Sequence, residues 1–150
     1  MERIRVVVRY RDGRVLKGIT QDFFPDKNSF HLFLADNPSD KPIEVLVKEL
    51  KAVFVVRDFI GNPQYIERKE FLDGERPFGR KVEVTFEDGE VMVGSTMTYH
   101  HNPSSFFLFP ADPKSNNIRV FVILSAVKQV RYLDSVQKSF RDRLNSRVEV

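Results

Sequence analysis

Ile4, Val6, Val8 and Tyr10 alternate with Arg5, Val7 and Arg9 near the start of the chain. A period of two is the mark of a strand with one buried face. Short apolar segments of this kind recur at residues 3–11, 14–21, 29–35, 43–48 and 52–57, and again at 80–87, 90–98, 105–110, 118–124 and 127–132. Asp12-Gly13 and Asp88-Gly89 each separate the first two segments of a set. Such a dipeptide closes a tight hairpin, because glycine tolerates the positive φ of the turn. Gly18 and Gly94 fall inside the second segment of each set, where a glycine marks a bulge or sharp bend.

The two sets are copies. Aligning the Asp-Gly pairs at an offset of 76 brings Val6, Val8, Tyr10, Val15 and Gly18 onto Val82, Val84, Phe86, Val91 and Gly94. The same offset brings Phe30, Leu32, Phe33, Ala35 and Asp36 onto Phe106, Leu108, Phe109, Ala111 and Asp112. Two single-residue gaps then set Ile43, Val45 and Val47 against Ile118, Val120 and Val122, and Ala52 and Val53 against Ala126 and Val127. Self-similarity at a fixed period signals a repeated unit. Five short strands per copy predict a mostly β protein of two tandem five-stranded SH3-like small barrels, at 1–60 and 80–133.

Between them lies a linker, 61–79. Gly61-Asn62-Pro63 and Gly74 to Gly79 with Pro77 break regular structure, and a short helix is expected over 64–72. At 134–150, Val136, Phe140, Leu144 and Val148 recur every four residues among basic neighbours, which predicts a C-terminal amphipathic helix. Phe140 and Leu144 would present its apolar stripe, either to the protein's own barrels or to a partner.

Composition narrows the class. The chain of 150 residues has 14 Phe, no Trp and no Cys, so aromatic and β-branched packing favours strands, and no disulfide, thiolate metal site or cysteine nucleophile can exist. The arginine-interrupted N-terminus lacks the apolar core of a secretory signal, and no apolar run reaches the roughly 20 residues of a membrane span. A cytoplasmic protein without membrane insertion is expected. The net charge is +3, with 11 basic against 9 acidic residues in 1–60, so bulk charge does not point to nucleic acid.

The stretch Val6 to Asp36, with its strand, Asp-Gly turn, glycine and Leu-Ala-Asp ending, resembles the Sm and Sm-like family of small barrels. The resemblance extends to both copies and implies the fold. In RNA-binding members a loop before the third strand and a basic position after the fourth hold bases, which here implies Asp26, Asn28 and Lys48. The second copy carries Asn102-Pro103 and Ile123-Leu124 at those places. The chain also resembles an uncharacterised group of bacterial proteins with duplicated barrels, most clearly over Phe106 to Leu133. Arg76 and Arg80 form an Arg-x-x-x-Arg that resembles the cyclic-di-GMP site of PilZ domains, where paired guanidinium groups grip phosphates.

Candidate chemistry is sparse. Arg3, Arg5, Arg9 and Arg11 share the outward face of the first strand, about 7 Å apart and near the spacing of backbone phosphates. With Lys17, Asp26 and Asn28 they could track RNA or single-stranded DNA. The second copy has Lys81, Glu83, Thr85 and Glu87 there, so the two faces could also complement one another within or between molecules. Of the adjacent rings Phe106 and Phe107, one must point outward, and Phe107 is a candidate protein contact. Three His without a carboxylate or i, i+4 partner hold no metal, and no nucleophile set or phosphate loop is recognisable. The expectation is a non-catalytic adaptor with no cofactor that binds a protein partner or itself. Nucleic-acid binding is the alternative and cyclic-di-GMP binding a minor one.

Overall fold

The computed structural model describes residues 2–37, 41–97 and 104–133. The first half forms β1 (Ile4–Tyr10), β2 (Val15–Thr20), β3 (Ser29–Leu34), β4 (Ile43–Leu46) and β5 (Leu50–Val56), with a 3-10 turn at Val47–Glu49. The second half repeats the set as β6 (Arg80–Phe86), β7 (Val91–Thr96), β8 (Ser105–Pro110), β9 (Asn117–Ile123) and β10 (Val127–Tyr132), with a 3-10 turn at Leu124–Ala126. All ten strand segments expected from the periodicity are strands.

Their assembly differs from the expectation of two five-stranded barrels. The strands form one open antiparallel sheet in the order β10-β6-β7-β8-β9-β5-β1-β2-β3-β4. The halves meet where β5 pairs with β9, Ala52 opposite Val122, Val53 opposite Phe121 and Phe54 opposite Val120. Sequence dictates this seam. Every residue of β5 is buried, and Val120 to Ile123 are buried in a row. Such continuous apolar runs need cover on both sheet faces. Ala52, Phe54, Val56, Val120 and Val122 face one core, shared with Val82, Val84, Phe86 and Leu108. Val53, Val55, Phe121 and Ile123 face the other, with Val6, Val8, Phe30 and Leu32. A strand that closed only its own barrel would leave one of these faces wet.

The repeat also registers differently from the gapped alignment. Ser29 pairs with Leu46 and Ser105 with Ile123, so the offset is 76 for the first three strands of each half and 77 afterwards. One inserted residue in the second half accounts for this. Matching hydrogen bonds agree: Asn28 O accepts from Val47 N–H and Ser104 O from Leu124 N–H, both at 2.9 Å. Val45 is thus equivalent to Val122, Leu50 to Val127 and Val53 to Val130.

The linker contains no helix. Residues 61–79 run as extended chain and turns, because side-chain carboxylates take main-chain donors that a helix would use. Asp112, across the sheet, accepts from Arg68 N–H at 2.9 Å, and Glu75, within the linker, from Leu72 N–H at 2.6 Å. The C-terminal helix expected at 134–150, with Phe140 and Leu144, lies outside the described residues, as do Tyr99, His100 and His101.

Candidate interaction surfaces

The duplication places equivalent loops from the two halves around one cleft of about 770 Å³ beside the seam. Asp26, Lys27 and Asn28 reach it from the β2–β3 loop and Lys48 from the first 3-10 turn. Ser104 and Ser125 line it at the places equivalent to Asn28 and Lys48. Arg11, just past β1, completes the rim, and its Nη2 donates to Lys48 O at 3.0 Å. Lys27 Nζ lies 5.4 Å over the Phe24 ring. One wall thus carries three cations and one carboxylate, and the other wall serine hydroxyls. Arg11, Asp26 and Asn28, chosen from the sequence, are brought together here.

The rest of the arginine stripe is divided. Val7, between Arg5 and Arg9, is buried in the core of the second half. Arg9 stacks 5.6 Å over the Phe54 ring, Arg5 Nη1 donates to Arg57 O at 3.2 Å, and Lys17 Nζ donates to Phe59 O at 3.1 Å. The outward face of β1 is therefore a boundary where the second core begins, not an open basic track. Arg3 stands apart beside Ile19, Thr20 and Phe33. Arg80 stacks 4.0 Å over Tyr132 while Arg76 lines a different surface, described next. Phe107 is half-buried, 5.0 Å from Phe121 and 6.4 Å from Phe23, with Arg119 stacked 5.3 Å over its ring.

A second concavity of about 450 Å³ lies where the linker crosses β7 and β8, and it is apolar. Phe71, Pro77 and Phe78 of the linker line it together with Met97, Phe109 and Pro110 from the sheet's second half. Phe78 is 84% exposed and Met97 57%. These side chains stand in water because the linker is fixed in an extended path. Asp112, itself buried, accepts from the Tyr65 hydroxyl and from the Arg68 and Lys114 N–H groups. The Arg68 N–H above all, and then the Tyr65 hydroxyl, hold its carboxyl down at about 2, against the opposing effect of desolvation. The same bond raises the Tyr65 phenol. Arg68 grips Glu75 through both nitrogens at 2.8 and 3.1 Å, which with the Leu72 N–H lowers the Glu75 carboxyl.

Sequence reading missed this groove and its clamp, since Tyr65 and Asp112 are far apart in the chain. The exposed aromatic beside Pro77 was the available signal. It also missed Lys51, a buried ammonium that donates to Asp88 at 2.7 Å and to Glu90, and lies 4.7 Å over the Phe86 ring. A lone lysine inside an apolar run was the mark of it. Among the described residues, no helix is long and apolar enough to cross a membrane.

A family model described as a family of unknown function (DUF6982) matches residues 2–134. No curated protein and no solved structure matches the chain.

Proposed function

The chain belongs to that family of unknown function, and from its surfaces we propose that it is a non-catalytic module that binds another protein through the linker groove. The observation that carries this reading is the exposure of Phe78 and Met97, which both line a preformed, largely apolar cleft. Clustered exposed apolar side chains mark interaction sites, and aromatic and Met residues are enriched in protein interfaces. The partner element is an apolar segment held through its side chains: three prolines, Pro77, Pro110 and Pro113, limit main-chain donors along the groove.

The test is selection from a displayed peptide library against the intact chain. Enriched peptides should be apolar and should lose binding at least tenfold to a Phe78→Ser, Met97→Ser protein while keeping it for Ile60→Ser, a control at an exposed apolar residue outside the groove. No enrichment, or equal binding to both variants, would sink the reading.

A second reading rests on the seam cleft. Arg11, Lys27 and Lys48 converge there beside Asn28 and the serines, a set suited to the phosphates and base edges of a single-stranded nucleic acid. This moves the alternative away from the arginine stripe. Fluorescence anisotropy with single-stranded oligonucleotides should then show affinity falling linearly in log-log salt. Arg11→Glu with Lys48→Glu should abolish it, and Arg3→Glu should have little effect. Absence of binding at low salt would dismiss it.

A further inference from the structure

The seam shows what joins one half to the next, and the edges of the sheet formed by the described residues carry the same two kinds of strand. Within the chain the fifth strand of the first half, β5, pairs with the fourth strand of the second, β9. The strands left at the ends of the sheet are β4, a fourth strand, and β10, a fifth. Backbone geometry alone would therefore let β10 of one molecule continue onto β4 of another, head to tail, without limit.

Side chains oppose this. At the seam Ala52 and Phe54 of β5, and Phe121 and Ile123 of β9, are apolar and reach into the neighbouring half's core. Carrying the observed register onto the free edges equates Ala52 with Gln129, Phe54 with Arg131, Phe121 with Glu44 and Arg119 with Pro42. Gln129, Arg131 and Glu44 are all exposed. Pairing in the seam register would set Arg131 beside Ile43 and Glu44 beside Val130, each facing an apolar core. Arg131 would also be drawn from Glu83, to which its Nη2 donates at 2.8 Å. Burying such charges without partners is strongly unfavourable, and Pro42 has no N–H to donate.

We infer that the seam is a copy-to-copy pairing interface used once inside the chain, and that Gln129, Arg131, Glu44 and Pro42 close the outer edges to a second copy. The specificity lies in those side chains rather than in the backbone. Growth of the sheet from one copy to the next is accordingly blocked at both edges.

The test writes the seam residues onto the edges of the intact chain and reads mass by light scattering during gel filtration. One variant carries Gln129→Ala with Arg131→Phe; the other carries Pro42→Arg with Glu44→Phe. The natural chain and each variant alone should run as monomers, an equimolar mixture as a 1:1 dimer, and a chain with all four changes as a ladder of larger species. Thermal melts establish that each variant folds. Should Arg131→Phe fail to fold, Arg131→Leu restores an apolar residue of smaller size at that position. A mixture of folded variants that stays monomeric overturns the inference, as does a natural chain that elongates by itself or a single variant that pairs with itself.

Discussion

A β-carbon on Gly18 would come within 2.3 Å of Phe33 O, and one on Gly94 within 2.2 Å of Phe109 O. Both contacts are with main chain, which cannot move aside without breaking the β2–β3 or β7–β8 ladder. Gly18→Ala should cost about 2–4 kcal/mol in urea unfolding, the size of a severe overpacking. Gly13 has open space around it but a φ near 98°, a left-handed conformation that strains any L-residue, so Gly13→Ala should cost about 1 kcal/mol, the strain less the gain from a stiffer unfolded chain. Equal costs at the two sites would contradict the close approach. Asp112 gives a second residue-scale expectation. Its carboxyl lies at about 2 when folded and near 4 in an unfolded chain. A depressed carboxyl stabilises above the unfolded value and loses that contribution as pH falls through the folded one. The linker clamp should therefore be intact above about pH 4 and fail between 4 and 2. Melting temperature should fall over that window, and Asp112→Asn should lower it at neutral pH while flattening the acid slope. The glycines were legible in the sequence because they repeat. Asp112 was visible only as a repeated letter, since nothing local reveals that Arg68 and Tyr65 come to it while its counterpart Asp36 is exposed.

Strands were legible where alternation or an apolar run announced them, and their neighbours were not. The sequence Ala52-Val53-Phe54-Val55-Val56 contrasts with Val127-Lys128-Gln129-Val130-Arg131, and this difference separates a strand buried on both faces from one buried on a single face. Reading both as equivalent fifth strands of closed barrels discarded that signal. The linker helix failed for another reason: local pattern competed with hydrogen bonds to residues more than forty positions away. Lys51 shows the same limit within a strand. It occupies the irregular position where β1 pairing shifts between Ala52 and Leu50, and its ammonium emerges at the second Asp-Gly hairpin. Asp88 and Glu90 remain substantially exposed on the far side, so removing the cation leaves two hydrated carboxylates rather than buried ones. Lys51→Met, which keeps the apolar stem, should thus cost only about 1 kcal/mol. Lys51→Glu should cost several times more, because a third carboxylate would meet the other two in a buried place. Urea unfolding of both variants, with unchanged dependence on denaturant, checks this; comparable losses would show that volume rather than charge governs the position.

One sheet bearing two cores on opposite faces makes the halves interdependent at the scale of the molecule. Phe54 and Phe121 belong to different halves by sequence, yet each is buried in the other half's core. The first core loses part of its wall when β9 departs, and the second when β5 does. Neither half can unfold while leaving the other's buried surface intact, so the chain should melt as a unit, with calorimetric and van't Hoff enthalpies equal. Val8→Ala in the first half and Val84→Ala in the second, both at fully buried positions, should each lower that single transition by a similar amount. Residues 1–60 expressed alone would expose Ala52, Phe54 and Val56 together, a broad apolar strip on an edge strand, and should aggregate rather than fold. Two separable heat-absorption peaks, with each substitution moving only its own, would show that the seam joins two independent bodies. In that case the seam pairing, blocked at the outer edges by their side chains, would also be too weak at the centre to define the molecule.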